Sequence, residues 1–134
     1  MSSSKESLGQ WVEKWNDLVF YQPDDQLSAR TIEDTLDAAA TVKINHDVHD
    51  FNGLAGGVKW FRTATETTLD SNQEIMAWDA PDGLGGSVAH LSTFTSKDKT
   101  SGKVVRKKSL ITTIVKGIDG KRKVSELIEV EIEF

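Results

Sequence analysis

Residues 104–133 read VVRKKSLITTIVKGIDGKRKVSELIEVEIE and contain two runs rich in β-branched residues on either side of Asp119-Gly120. An Asp-Gly pair between two such runs is typical of a two-residue β-hairpin turn. Because strand side chains alternate between faces, the second run has one mostly aliphatic face, which comprises Val124, Glu126, Ile128, Val130 and Ile132. Pairing counted outward from the turn places Glu126 opposite Thr113. The sequence therefore predicts a long antiparallel hairpin with one carboxylate on an otherwise aliphatic, core-facing surface.

Glu126 is the leading candidate catalytic residue. A buried carboxylate is either paired or has a raised pKa, and a raised pKa suits general acid/base chemistry near neutral pH. Thr113 offers no positive charge to pair with it. Two interpretations stay open: Glu126 is a catalytic acid/base, or it is a structural group whose partner comes from elsewhere in the chain. Arg30 is the first candidate for that partner, and it is also a candidate to stabilise a substrate oxygen.

The rest of the chain predicts helices first and strands afterwards. Apolar residues at helical spacing predict helices over residues 8–20, 28–36 and 57–69, with Ser28 as the N-cap of the second helix. Alternating residues predict strands over 41–46 with a continuation to 51, and over 74–79, 87–96, 104–115 and 121–133. Asn52-Gly53 signals a turn. This order predicts an α+β domain in which three N-terminal helices cover one face of a curved antiparallel sheet.

Length and composition predict one domain. The 134 residues are 37% hydrophobic, which is enough for a single core, and residues 1–6 are expected to be disordered. The chain has no cysteine, which excludes disulfides and thiolate chemistry. Neither a signal peptide nor an apolar run of membrane-spanning length is found, so a soluble, cytoplasmic protein without a membrane partner is expected.

Charge is segregated along the chain. Residues 97–123 carry ten Lys or Arg against two acidic residues, whereas residues 1–96 carry six against fifteen. No aromatic residue lies within the basic segment, so bases would have nothing to stack on. We interpret the basic residues as solvated hairpin edges that discourage aggregation, and we expect no nucleic-acid partner.

Histidines and acids suggest further candidates. His90 lies on a predicted strand with two half-buried faces, where it is either a proton relay or a structural histidine at the core or a dimer interface. His46 and Asp47 belong to the segment HDVHD and are candidates for the mouth of a pocket. Alternation allows each face of that strand at most two metal ligands, so no metal and no cofactor is expected.

Aromatic residues are candidates for a ligand-binding wall. Trp15, Trp60 and Trp78 could line an apolar pocket together with Phe61 and Thr113, although filling a core predicts the same spacing. Both interpretations remain open.

The chain resembles the nuclear transport factor 2-like superfamily and its SnoaL-like branch. The features that carry the resemblance are Trp11 and Trp15 on the first helix, residues 41–45 leading to Asn52-Gly53, the helix start at 57–61, and the Asp119-Gly120 hairpin. The resemblance implies a cone-shaped half barrel around a small pocket, and frequently a homodimer formed across the outer face of the sheet. Members include polyketide cyclases, steroid isomerases, dehydratases and binding proteins without catalytic activity.

One departure limits what the resemblance implies. In ketosteroid isomerases an aspartate would be expected near the end of the 41–46 strand, where this chain has Ile44 and Asn45, and a tyrosine where it has Trp15. The mechanism of those isomerases therefore cannot simply be transferred to this chain. The function we expect is cofactor-free acid/base catalysis, namely isomerisation, cyclisation or dehydration of a polyketide, terpenoid or related small molecule. Glu126 would transfer the proton, with His90 or Asp47 as its partner. The alternative is a non-catalytic ligand-binding or dimeric interaction module of the same fold.

Overall fold

The computed structural model describes residues 6–134, so the disorder predicted for residues 1–6 lies, for all but Glu6, outside the described part of the chain. The elements in chain order are α1 (Leu8–Asn16), a π-helical turn (Asp17–Tyr21), α2 (Asp25–Thr35), β1 (Leu36–Ile44), β2 (Asp47–His49), α3 (Phe51–Ala64), β3 (Thr65–Asp79), β4 (Gly86–Asp98), β5 (Val104–Ile118) and β6 (Lys121–Glu133).

The strands form one curved, unclosed six-stranded sheet in the order β2-β1-β6-β5-β4-β3. Strands β1 and β6 run parallel, and every other neighbouring pair is antiparallel. The helices cover the concave face, as the α+β prediction required. The core between the two layers is almost fully shielded from solvent and includes Leu8, Val12, Trp15, Val19, Val42, Val88, Val115, Val124 and Leu127.

Strand β6 contains the feature that decides the position of the site. The hairpin turn is the predicted one, because Asp119 and Gly120 both have positive φ, as a primed turn needs. Pairing follows the predicted register as far as Val115 opposite Val124 and then shifts by one residue, so that Ile114 lies opposite Glu126 and Thr113 opposite Leu127. Ser125 is the extra residue of a β-bulge, and its hydroxyl donates to the Ile114 carbonyl oxygen at 3.2 Å.

The bulge reverses the faces of the rest of β6. Leu127 and Glu129 are buried, whereas Ile128, Val130 and Ile132 are exposed on the convex side. The prediction that Glu126 shares a core-facing side with these three aliphatic residues is therefore wrong. An inserted residue exchanges the two faces of a strand because side chains alternate with a period of two.

Helix boundaries differ from the sequence prediction at three places. Asp24, and not Ser28, caps α2 by accepting from two backbone N–H groups, while the Ser28 hydroxyl donates to the Val19 carbonyl. Helix α3 begins at Phe51, so Asn52-Gly53 lies inside the helix and is not a turn. Asp50 caps it through the N–H of Gly53 at 2.8 Å. The helix ends at Ala64, and the residues predicted as its last turn are the start of β3.

The convex face of the sheet carries exposed apolar side chains. Leu91 of β4 lies opposite Leu110 of β5, which lies opposite Val130 of β6. Ile128 lies two residues before Val130 on the same face of β6. Val130 is 56% exposed and Met76, on β3, is 72% exposed. Among the described residues, no element covers this face.

Candidate functional site

A cavity of about 260 Å³ lies between the helices and the concave face of the sheet. Most of its wall is apolar or aromatic, and these residues include Phe20, Ile44, Leu54, Val58, Trp60, Phe61, Leu69, Phe94, Ile111 and Leu127. The polar lining residues are Glu13, Asn16, Asp17, Tyr21, His49, Asn72, Ser92, Lys107, Ser109, Glu129 and Glu131. An apolar cavity with a few convergent polar groups is the usual form of a small-molecule site.

Glu129 is the buried carboxyl group of the cavity. The bulge in β6 turns it inward, and only 9% of the residue is exposed. The Ser109 hydroxyl on β5 donates a hydrogen bond of 2.7 Å to Glu129 Oε2. Burial, reinforced by a hydrogen bond with the Glu131 side chain, raises the pKa of Glu129 to about 8. Glu129 therefore holds its proton at neutral pH and can release it within the physiological range.

Glu131 differs from Glu129 although it lies only two residues further along the same strand. Lys107 Nζ on β5 lies 2.8 Å from Glu131 Oε1 and forms a partly buried ion pair with it. Glu131 is paired with a cation, whereas Glu129 accepts from the Ser109 hydroxyl, so the two neighbouring carboxyl groups have different environments. Two acids separated in this way can divide the roles of proton donor and charged partner.

The π-helical turn supplies the opposite wall. Gln22 N–H donates to the Asp17 carbonyl at 2.9 Å, which closes a wider turn than an α-helix has. Three residues of this π-helical turn, Asp17, Phe20 and Tyr21, line the cavity. Burial and the nearby Glu129 carboxyl group raise the pKa of Tyr21 well above its usual value. The Tyr21 hydroxyl therefore keeps its proton and remains a hydrogen-bond donor.

Two amide side chains complete the polar lining. Ser92 Oγ donates to Asn72 Oδ1 at 2.9 Å, which leaves the Asn72 NH₂ group available to a ligand. Asn16, on α1, is only 7% exposed, and its Oδ1 has no hydrogen-bond partner among the described residues. A buried acceptor without a donor is costly, so Asn16 is suited to receive an N–H or O–H group from a bound molecule.

The structure places two of the sequence-predicted residues in this cavity. Trp60 lies at the cavity with most of its side chain exposed to solvent, and Phe61 is half-buried beside it. Trp15 belongs to the core instead, where its indole N–H donates to Thr35 Oγ1 at 2.7 Å. Trp78 is exposed near the end of β3 and does not line the cavity.

The structure does not bring the predicted catalytic residues together in the cavity. Glu126 is half-buried, lies opposite Ile114 of β5 and Thr41 of β1, and does not line the cavity. Asp47 and His46 are exposed in and beside β2, with His46 Nε2 at 3.8 Å from Asp47 Oδ1. Arg30 is exposed on α2 and forms no ion pair within residues 6–134. The roles assigned to these residues stay predictions.

His90 and Thr113 lie on the concave side but behind the cavity wall. Both are fully shielded from solvent, and neither the His90 ring nitrogens nor the Thr113 hydroxyl has a partner in the described part of the chain. Burial lowers the pKa of His90, while the Glu74 and Glu13 carboxylates oppose that effect. His90 is therefore a neutral buried histidine at neutral pH.

A signal for Glu129 was present in the sequence. Leu127 and Ile128 are adjacent apolar residues, so perfect alternation cannot hold across both. Placing Leu127 inward with Val124 leaves two intervening residues instead of one, which is the pattern of a bulge. From Leu127 onward the inward side chains are then Glu129 and Glu131.

No group of three His, Asp or Glu side chains within residues 6–134 is arranged to hold a metal ion. None of the helices in the same range is both long enough and apolar enough to cross a membrane.

Known proteins share this architecture at very low sequence identity. The sequence matches no protein-family model and no curated protein. A ketosteroid isomerase-like protein from Erwinia carotovora atroseptica superposes with a TM-score of 0.65 at 10% identity, over 82% of each chain. A nuclear transport factor 2-like protein from Burkholderia xenovorans gives 0.65 at 10% identity, over 92% of this chain and 87% of its own. A candidate isomerase of the SnoaL-like family from Agrobacterium tumefaciens gives 0.55 at 5% identity, over 92% and 97%.

Proposed function

Since the chain has the nuclear transport factor 2-like fold, we propose that its cavity binds a small, largely apolar molecule and that Glu129 transfers a proton to or from it without a cofactor. The reaction would be an isomerisation, cyclisation or dehydration of a polyketide, terpenoid or related intermediate. The observation that carries the proposal is the buried Glu129 carboxyl group in an apolar cavity.

Glu129 replaces Glu126 as the proposed acid/base. A general acid/base is most effective when its pKa lies near the working pH, and the pKa of Glu129 is about 8. Glu126, His90, Asp47 and Arg30 do not line the cavity, so their predicted catalytic roles have less support.

Tyr21 and Asn72 are the proposed partners of Glu129. Proton removal next to a carbonyl builds negative charge on its oxygen, and donors placed at that oxygen lower the barrier. The Tyr21 hydroxyl keeps its proton, and the Asn72 side chain accepts from Ser92 through its oxygen, so that its NH₂ group is left as the donor. Lys107 would pair with Glu131 beside Glu129 while Glu129 cycles between its two forms.

Base catalysis can be measured before the natural substrate is known. In 5-nitrobenzisoxazole a base removes the ring C–H proton, the N–O bond breaks, and a coloured cyanophenolate forms. We expect the wild-type protein to catalyse this elimination at a rate that rises with pH through about 8, as Glu129 loses its proton. Glu129→Gln should lower the rate by about 100-fold or more.

Glu126→Gln provides the matched comparison on the same strand. If the rate depends on Glu126 and not on Glu129, the interpretation made from the sequence is correct and the one proposed here is wrong. If the probe binds in the cavity and neither carboxyl group affects its decay, the protein is a binding module without acid/base chemistry. That alternative is favoured by the unpartnered Asn16 amide, which is suited to hold a ligand and needs no catalysis.

We also propose that two copies of the chain pair through the convex face of the sheet. An apolar patch that spans several strands is a common mark of a protein interface, and Leu91, Leu110 and Val130 form such a patch. Val130→Lys should convert a dimer into a monomer in light scattering coupled to gel filtration. Thr100→Lys, in the exposed β4–β5 turn, is the control. A wild-type monomer at millimolar concentration would refute the proposal.

A cytoplasmic location stays a prediction.

A further inference from the structure

We propose that the molecule bound in the cavity carries a protonated amine, and that its ammonium group binds to Asn16 Oδ1 among the carboxylates of the cavity. The inference rests on the proposed function only in taking this cavity as the ligand site. It names a class of ligand that neither the fold nor the acid/base chemistry specifies.

Charge in the cavity lining favours a cation. Beside Glu129, three other acidic residues line the cavity: Glu13 and Asp17 from the first helix and its π-helical turn, and Glu131 from β6. Among the described residues that line the cavity, Lys107 is the one Lys or Arg. It forms an ion pair with Glu131. The lining therefore keeps a net negative charge even when Glu129 is protonated. An anionic ligand would be repelled, and a neutral one would gain nothing from this field.

Asn16 provides a second and independent observation. Its side chain is more than nine-tenths buried, it lines the cavity, and its Oδ1 accepts no hydrogen bond within residues 6–134. The missing partner must be a donor. An ammonium group offers three N–H donors and no acceptor, so it matches an unpartnered amide oxygen in a cavity that carboxylates also line.

The aromatic wall suits the same ligand. Phe20, Tyr21 and Phe94 form a chain of neighbouring rings with centroid separations of 6.2 Å, and Trp60 and Phe61 line the cavity as well. The face of an aromatic ring attracts a cation, most strongly where water is excluded. The same rings bury the hydrocarbon part of an amine, so one wall serves both parts of the ligand.

Cation binding would change the protonation of Glu129. The charged or titratable groups next to Glu129 are Glu131 on its own strand, Lys107 on β5 and Tyr21 on the π-helical turn. Glu13, Asp17 and His49 line the same cavity. An ammonium placed among them favours the carboxylate form of Glu129. Binding at pH 7 therefore releases the Glu129 proton to solvent while the amine keeps its own. The bound ligand thus converts Glu129 into the base that the proposed reaction needs.

The experiment compares three ligands that differ in one group. Isothermal titration at pH 7 with 2-phenylethylamine, 2-phenylethanol and phenylacetate measures the effect of charge at constant ring size. We expect the amine to bind at least about tenfold more tightly than the alcohol, and phenylacetate to bind more weakly than either. Repeating the amine titration in buffers of different ionisation enthalpy should give a release of about one proton per amine bound.

Three variants test which residues release the proton and which bind the amine. Glu129→Gln should abolish the proton release and still bind the amine, and Asn16→Leu should weaken the primary amine more than benzyltrimethylammonium, which has no N–H donor. Glu66→Gln, an exposed residue of β3 that does not line the cavity, removes one carboxylate elsewhere and should behave as the wild type. Circular dichroism confirms that each variant is folded.

Equal affinity for amine and alcohol, tighter binding of phenylacetate, no amine binding at millimolar concentration, or proton uptake on amine binding would each overturn the inference. The proposed function is tested separately by benzisoxazole elimination. If the elimination depends on Glu129 while the amine shows no preference, the catalytic proposal stands and the ligand class is wrong.

Discussion

Glu129 gives the protein an unusual dependence of stability on pH. In the folded chain its pKa is raised from 4.5 to about 8, mainly by burial. Between these values the folded state holds a proton that the unfolded state has released, so the stabilisation is complete below pH 4.5 and is lost as the pH rises through 8. Most carboxyl groups in folded proteins act in the opposite direction.

The size of the effect follows from the shift. Each pKa unit corresponds to about 1.4 kcal/mol, and a rise from 4.5 to about 8 gives a loss of roughly 4 kcal/mol between pH 4.5 and pH 8. The free energy of unfolding of a domain of this size is about 5–15 kcal/mol, so the change is a large part of its total stability. Glu129→Gln keeps the shape of the protonated acid and an oxygen that can accept from Ser109, but it cannot titrate. The variant should therefore lack this loss of stability.

Urea unfolding at constant ionic strength, repeated between pH 4.5 and pH 9, measures the free energy of unfolding at each pH. The difference between the wild type and Glu129→Gln isolates the contribution of this residue, while Glu126→Gln tests the carboxyl group that the sequence predicted. If the wild type and Glu129→Gln give parallel pH profiles, Glu129 is not buried as described. If Glu126→Gln removes the pH dependence instead, the bulge at Ser125 is not present in solution.

Three further changes test the surroundings of the site. Burial lowers the pKa of His90 below its usual 6.5, so His90 contributes stability that is present above pH 6.5 and lost as the pH falls below it. His90→Met should remove this loss of stability at acid pH in urea unfolding. His46→Gln, a change at an exposed histidine, should not remove it. Ser109→Ala removes a hydrogen bond that lowers the pKa of Glu129, so the pH profile of benzisoxazole elimination should move to higher pH; an acid shift would contradict the assigned contact. Arg62→Met should destabilise the fold by about 2–3 kcal/mol in thermal or urea unfolding, because the buried guanidinium group donates to the Val19 and Gln22 carbonyls and pairs with Asp25. A change below experimental error would show that the Ser28 hydroxyl and water satisfy those carbonyls without Arg62.

The sequence determined the layers of the fold and most of their elements. Apolar spacing in the first helix and the Asp-Gly turn depend on contacts within a few residues, and both are present in the structure. The boundaries of α3 were harder to predict. Gly53, Gly56 and Gly57 resemble turn residues locally, but the Asp50 cap and the packing of Leu54 and Val58 in the core hold this segment in a helix.

Only the tertiary structure decided which carboxyl group enters the cavity. Alternation in β6 determines that neighbouring residues point to opposite faces, but it does not determine which face is inside once a residue is inserted. The insertion at Ser125 depends on pairing with β5 on one side and with β1 on the other, where the register is also irregular between Leu36 and Thr41. Those partners are distant in sequence. A local pattern could therefore predict a strand with an acid on its inner face, while the long-range pairing selected Glu129 over Glu126.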